Sequence, residues 1–227
     1  MAIVSLKNIK KIYLKGALEV KALNGISLDI QKGEFTVLAG PSGSGKTTLL
    51  NIIGAMDRAT SGEAVVDGVD LSLLKPKDAS NFRREKIGFI FQDYSLIPVL
   101  TVYENVEFSL DLLGIHDKES KKEMVETILK EMDIYELRNR RPSEISGGQQ
   151  QRVAVARALV KKPSIILADE PTANLDSVTG ESILAMMKKL NEEHNITFIF
   201  SSHDLKIIEK AKRVVRLRDG IKEGDST

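Results

Sequence analysis

Residues 40–47, Gly40-Pro41-Ser42-Gly43-Ser44-Gly45-Lys46-Thr47, constrain the chain more than any other segment. They follow a nearly all-apolar run, Phe35-Thr36-Val37-Leu38-Ala39, which fits a buried parallel strand. They precede a helical stretch through Thr48, Leu49, Leu50, Ile52 and Ile53. The pattern G-x-x-x-x-G-K-[ST], set between a strand and a helix, has a physical use. Glycines let backbone N–H groups turn inward around a phosphate chain, and the helix N-terminus adds the positive end of its dipole. Lys46 can then neutralise the β and γ phosphates, and the Thr47 hydroxyl can ligate Mg²⁺. An ordinary Gly/Ser turn would need neither flank.

The rest of the chain reads as strands alternating with helices. Val4 and Leu6, then Ile26, Leu28 and Ile30, alternate in the strand manner, and Lys32-Gly33 is a turn. Ser61-Gly62 and Asp67-Gly68 punctuate a further hairpin. From Asp117 to Met132, Val125, Ile128, Leu129 and Met132 form one apolar helix face. Val153, Ala156 and Val160 form a second. Residues 93–160 therefore read as a helical insertion in an α/β core that spans the whole chain, 1–227. Strands return at Ser164–Ala168 and Thr197–Phe200, separated by a helix carrying Ile183, Met186, Met187 and Leu190. A last strand, Val214–Leu217, ends at Asp219-Gly220. Such alternation implies a mainly parallel sheet covered on both faces.

Bulk properties narrow the setting. At 227 residues, 42% hydrophobic and 29% charged, the composition is that of an ordinary globular chain with room for a large core. The net charge of +1 gives no bulk attraction to nucleic acid or anionic lipid. The absence of cysteine excludes disulfides and thiolate metal sites and agrees with a cytoplasmic setting. The N-terminal residues contain no signal-peptide apolar region, and runs such as Ile165–Ala168 fall far short of the roughly 18–20 residues that span a bilayer. Any membrane role is expected to come through a partner.

Two further segments carry chemistry. Ile165-Ile166-Leu167-Ala168-Asp169-Glu170 is a buried strand ending in adjacent carboxylates. Asp169 is suited to a Mg²⁺ hydration shell, and Glu170 to orienting or deprotonating an attacking water. Alone, the pair would serve equally as an acidic loop; after an upstream phosphate loop the catalytic reading prevails. Ser146-Gly147-Gly148-Gln149 opens a helix beginning near Gln150. On chemistry alone it is either a plain N-cap or a second anion-binding cluster of N–H groups.

Ser146–Gln149 followed by Gln151-Arg152-Val153-Ala154-Val155-Ala156-Arg157-Ala158-Leu159 resembles the signature motif of ABC ATPases. The phosphate loop, Gln92, the signature, Asp169-Glu170, Asp176 and His203 occur in that family's order, so the resemblance covers essentially the whole chain. It implies a P-loop NTPase core with a mainly parallel sheet, an N-terminal antiparallel β-subdomain and an inserted helical subdomain. It implies ATP and Mg²⁺ as ligands. Gly40, Pro41, Ser42, Gly43, Ser44, Gly45, Lys46, Thr47 and Thr48 would hold the phosphates, with Thr47, Gln92 and Asp169 at the metal. Lys46, Gln92, Glu170 and His203 would be catalytic. Tyr13 resembles the aromatic that stacks on adenine, though alone it reads as a strand-edge core tyrosine. Gln92 alone is a solvated loop residue, Asp176 a helix-start aspartate and His203 a structural histidine. The departures, Ile145 for leucine and Ser201-Ser202 before His203, are conservative.

The family mechanism accounts for two phosphate sites on one chain. Two copies pair head to tail, each ATP lying between one copy's loop at Gly40–Thr47 and the other's Ser146–Gln149, with Asp176 crossing the interface. Phe89-Ile90-Phe91-Gln92 with Tyr94-Ser95-Leu96-Ile97-Pro98, Leu100-Thr101 and Glu104-Asn105-Val106 is similar to the lipoprotein-releasing and macrolide-exporter branch. In that branch Asp93–Leu100 would receive an integral membrane permease, placing the chain on the cytoplasmic face of the membrane; without the family the segment is equally a buried loop. DNA-repair relatives need a long coiled coil and ribosomal relatives two cassettes on one chain, and the sequence holds neither. A mechanotransmission role on a membrane partner, without solute transport, stays open as the alternative.

Overall fold

The computed structural model describes residues 2–16 and 18–226. An antiparallel sheet is built from β1 (Ala2–Lys15), β2 (Leu18–Gln31), β4 (Ser61–Val66) and β5 (Val69–Asp70), in the order β2-β1-β4-β5. A second sheet runs β10-β9-β3-β8-β7-β6, with β3 (Phe35–Ala39), β6 (Ile87–Ile90), β7 (Ile165–Asp169), β8 (Thr197–Ser202), β9 (Arg213–Arg218) and β10 (Ile221–Ser226). Four of its five pairings are parallel, and the fifth, the β9–β10 hairpin at one edge, is antiparallel. The expected fold class is therefore the observed one.

Alternation of buried side chains explains why this sheet is covered on both faces. Val37, Ile166, Ala168, Phe198 and Phe200 enter one core, while Leu38, Ile165, Leu167, Ile199 and Val215 enter the other. The first core is roofed by α3 (Val102–Leu112), α4 (Lys118–Glu131), α5 (Gly147–Leu159) and α6 (Ser177–His194), through residues such as Val106, Leu129, Val153 and Ile183. Phe35 anchors it, with its ring 5.7 Å from Phe198 and 4.9 Å from Phe200. The second core lies between the two sheets and receives Leu49, Leu50, Ile52 and Ile53 of α1 (Lys46–Ile53). The chain thus places α3–α5 between β6 and β7, and no described helix is long and apolar enough to cross a membrane.

Helix starts follow local chemistry. Thr101, Asp117, Ser146 and Asp176 each accept a first-turn backbone N–H at the heads of α3, α4, α5 and α6. α1 differs: it begins at left-handed Gly45 (φ 100°) with no side-chain acceptor. Some expectations shift. Val214–Leu217 is not the last strand: β10 follows Asp219-Gly220, polar and largely exposed, and it rests on hairpin pairing rather than apolar alternation. α2 (Pro76–Lys86) likewise lies outside the elements the sequence pattern predicts, and it buries only Phe82.

The C-terminus of α2 depends on a cation from elsewhere. Lys161 Nζ donates to the carbonyls of Arg83 (3.2 Å) and Arg84 (2.9 Å), and burial pushes its ammonium down to about 8. A lysine whose folded pKa is depressed carries its desolvation cost in full below that value. Between about pH 8 and 10.5 the unfolded chain holds a proton that the folded chain has released, so stability rises with pH. Relative to Lys161→Met, the wild type is expected to gain up to about 2 kcal/mol between about pH 7.5 and 9.5, measured by urea unfolding. A constant difference across that range would refute it.

Candidate functional site

The carboxyl ends of β3, β7 and β8 lie side by side because of parallel register: Ala39 is opposite Ser202, and Asp169 is opposite Ser201. The three loops leaving these strands carry Gly40–Thr47, Glu170 and His203. Open α/β sheets form their ligand crevices at such strand ends. Gly45 has no freedom to be anything else, since a Cβ there would stand 2.7 Å from the Ala22 carbonyl, at a φ of 100°. Gly43 also needs its positive φ of 80°. Lys46 is buried and its Nζ donates to the Gly40 (2.7 Å) and Pro41 (2.9 Å) carbonyls, so the ammonium closes the loop on itself. Ser44 is buried with its hydroxyl unpartnered.

Ser201 organises the acidic pair. Its hydroxyl donates to Asp169 Oδ1 (2.6 Å) and accepts from the Glu170 backbone N–H (2.9 Å). Glu170 lies in the left-handed region (φ 46°), and its Oε1 is 3.0 Å from His203 Nδ1. The two neighbouring carboxylates therefore have separate partners. Thr47 Oγ1 donates to Asp169 Oδ1 at 3.1 Å. Two oxygens bound cis on an octahedral ion, each at about 2.1 Å, would stand about 3.0 Å apart. The Thr47–Asp169 pair, both hard oxygen donors, thus fits Mg²⁺.

Tyr13 sits at the edge of this region, half-exposed, with its phenol donating to Asp57 Oδ2 (2.6 Å). Lys11 Nζ lies 4.7 Å from the ring centroid and donates to Asp57 Oδ1 (2.6 Å). Burial pushes the Asp57 carboxyl up, but hydrogen bonds from Lys11, Tyr13 and the Arg58 N–H outweigh it and hold the carboxyl below its usual range. Burial and the bond to Asp57 push the Tyr13 phenol up, which keeps it neutral and donating. Tyr13 is thus a surface ring buttressed by an ion pair rather than a core tyrosine. Lys11 and Asp57 were not among the sequence candidates; their separation in sequence hid the pair.

The remaining candidates are not all gathered here. Gln92 is exposed at the end of β6, and its carbonyl accepts from Asn174 Nδ2 (2.9 Å). The following turn is ordered by buried Asn105, whose Oδ1 accepts from Ile97 N–H (2.8 Å) and whose Nδ2 donates to the carbonyls of Ile97, Leu100 and Thr101. Ser146 and Gln149 form a reciprocal capping box: Gln149 Oε1 accepts from the Ser146 N–H at 2.9 Å, and Ser146 Oγ from the Gln149 N–H at 3.3 Å. The neighbours of Gly147 and Gly148 are Tyr94, Leu175 and Thr179, not the Gly40–Thr47 loop. Asp176 likewise caps α6 through the Val178 and Thr179 N–H groups, and the Thr179 hydroxyl, followed by those N–H groups, holds its carboxyl below the usual range. Within one chain both segments serve as helix caps.

Comparison with known proteins places this geometry. The family model for ABC transporters matches residues 23–173. The macrolide export ATP-binding/permease protein MacB of Syntrophobacter fumaroxidans is 45% identical over 228 residues, all of this chain but only 32% of that protein. The chain thus spans about a third of that relative's length. An uncharacterized ABC transporter ATP-binding protein of Methanocaldococcus jannaschii, MJ0796, is 45% identical over 96% of this chain and 94% of its own. The structure of a dimeric post-hydrolysis state of the MJ0796 cassette bound to ADP and Pi superposes with a TM-score of 0.90 at 44% identity, covering 99% of this chain and 98% of that one. The resemblance read from the motifs is borne out: the chain belongs to the ABC transporter family, as an ATP-hydrolysing cassette of the MacB-like type.

Proposed function

We propose that the chain powers a separate membrane permease, extracting or exporting a lipoprotein, peptide or drug-like substrate, through ATP-driven pairing of two copies. The observation that carries this reading is the asymmetry of the site. Gly40–Thr47, Asp169, Glu170 and His203 converge at the carboxyl ends of β3, β7 and β8, whereas Ser146–Gln149 and Asp176 serve as caps of α5 and α6, with Tyr94, Leu175 and Thr179 as the nearest neighbours of Gly147 and Gly148. A phosphate chain at the first set would meet the second only from another copy. The dimeric state of the MJ0796 cassette supports that arrangement.

In this reading Tyr13 stacks on adenine, while Gly40–Gly45, Thr47 and Thr48 surround the phosphates with N–H and hydroxyl donors. Lys46 exchanges two neutral carbonyls for phosphate oxygens, a stronger charge-assisted pairing. Mg²⁺, held by Thr47 and Asp169 and joined by Gln92 on closure, would neutralise charge on the phosphates. Glu170 takes up the proton of the attacking water, and His203, in contact with its carboxylate, keeps that carboxylate aimed and faces the γ-phosphate. Residues 93–160 act as the helical unit that transmits closure. Val99, 73% exposed on the Asp93–Leu100 turn, offers an apolar contact for the permease. The chain then works on the cytoplasmic face of the membrane.

Glu170→Gln tests the pairing. With ATP and Mg²⁺ it is expected to elute as a stable dimer by size-exclusion chromatography with light scattering, and to lose at least about 100-fold in turnover. A variant that binds ATP and stays monomeric would overturn the sandwich. Ser201→Ala tests the positioning of the acidic pair: it leaves the Glu170 N–H without an acceptor and is expected to cost about 1–3 kcal/mol in urea unfolding. Turnover should fall with it and return in Ser201→Thr, which restores the hydroxyl. Equal turnover in Ser201→Ala and wild type would show that the bridge does not matter.

A further inference from the structure

Two consecutive residues after Gln92 and Asp93, Tyr94 (φ 62°) and Ser95 (φ 44°), stand in the left-handed region. Neither is glycine, asparagine or aspartate, the residues that tolerate that conformation, so an outside contact must hold them there. Arg157 supplies it from the last turn of α5. Its Nη2 donates to the Tyr94 carbonyl at 2.8 Å and its Nη1 donates to the Ser95 carbonyl. The guanidinium is a rigid fork, which suits two adjacent carbonyls turned the same way. The turn is also closed locally, by Ser95 Oγ donating to Asp93 Oδ1 at 2.6 Å.

The same turn touches the other end of α5. A Cβ on Gly147 would stand 3.0 Å from the Tyr94 hydroxyl, so the Tyr94 side chain reaches the Ser146–Gln149 segment. α5 therefore meets the turn twice, through the Arg157 hydrogen bonds at its C-terminal part and through the close approach of the Tyr94 side chain to Gly147 at its head. Upstream, the Gln92 carbonyl is held by Asn174, two residues before Asp176. Burial pushes the Arg157 guanidinium down and Asp93 opposes that, so the cation is set in a partly desolvated place beside one carboxylate.

We infer that Arg157 is a positioning residue: by forking the Tyr94 and Ser95 carbonyls it fixes the turn that sets Gln92 and locks that turn to the helix whose head is Ser146–Gln149. The consequence is that Gln92 and the Ser146–Gln149 turn move as one body, so that an α5 displaced by a second copy carries Gln92 with it. This rests on the reading of Gln92 as a hydrolysis residue. Arg157 itself touches neither substrate nor metal.

The experiment compares Arg157→Met and Arg157→Lys with the wild type in three readouts: steady-state turnover, ATP affinity and KM, and amide hydrogen exchange. Loss of the fork is expected to lower kcat at least about tenfold, with ATP affinity and KM within about twofold, because the group being misplaced acts in the reaction rather than in binding. Exchange should accelerate at residues 92–96 while α5 keeps its protection. Arg157→Lys, which keeps the charge but cannot fork, should fall between the two, and it serves if the methionine variant does not accumulate. Unchanged exchange at 92–96, or protection lost throughout α5 and β6 together, would overturn the inference. A wild type that hydrolyses no ATP would strike the functional reading instead. The clamp would then stand or fall on the exchange result alone.

Discussion

Parallel pairing of β3 with β8 and of β8 with β7 puts Ala39 beside Ser202 and Asp169 beside Ser201. A slip of one residue would turn every side chain of β8 to the wrong face, exchanging Phe198 and Phe200 for Ile199 between two different cores. A slip of two would keep the faces but carry Ser201 away from the Asp169 carboxylate and the Glu170 N–H. Two filled cores therefore exclude the first error, and one hydroxyl with two bonds favours the register that remains. The phosphate-loop residues, the acidic pair and the histidine are neighbours for that reason, although more than a hundred residues separate Thr47 from Asp169.

The same register explains what a single chain lacks. Strand ends gather only the residues that leave the sheet at the carboxyl ends of neighbouring strands. Ser146 and Asp176 start helices that roof the first core, and their side chains already satisfy first-turn N–H groups. In the proposed pairing these caps need not open. A capped helix still carries its dipole and its remaining N–H groups, and Gly147 and Gly148 add no side chains of their own at that point. An anion presented by a second copy could be met by the backbone while the cap stays in place.

Legibility in the sequence followed the range of the interactions. The Gly40–Thr47 loop, the buried strand before it and the helix after it are local patterns, and each stands where the residues put it. The helix over Asp117–Met132 likewise matches α4 with Asp117 as its cap. What escaped depends on contacts distant in sequence. α2 buries one side chain and ends on carbonyls held by Lys161, so its apolar periodicity is too thin to read. β10 exists because β9 offers it a hairpin partner. Lys11 and Asp57, 46 residues apart, had no local sign of joining beneath Tyr13. Ser201 reads in the sequence only as one of two serines before His203; its bridging of Asp169 and Glu170 needs the sheet.

Backbone strain in the described residues has a telling distribution. Left-handed Asn8, Asp67, Asp133, Asn195 and Asp219 are residue types that accept that conformation in turns. Ala55, Tyr94, Ser95, Lys162 and Glu170 are not, and three of these five lie at Gln92 and the acidic pair. Each strained site there has a specific restraint from another element: Arg157 for Tyr94 and Ser95, Ser201 for Glu170. The restraint at Glu170 has a chemical result. It lets one carboxylate face Thr47 and Ser201 while the next faces His203, so two adjacent acids do not compete for one partner. In the proposed mechanism, the separation of the acid assigned to the metal from the acid assigned to the water would thus be built into the backbone at the end of β7.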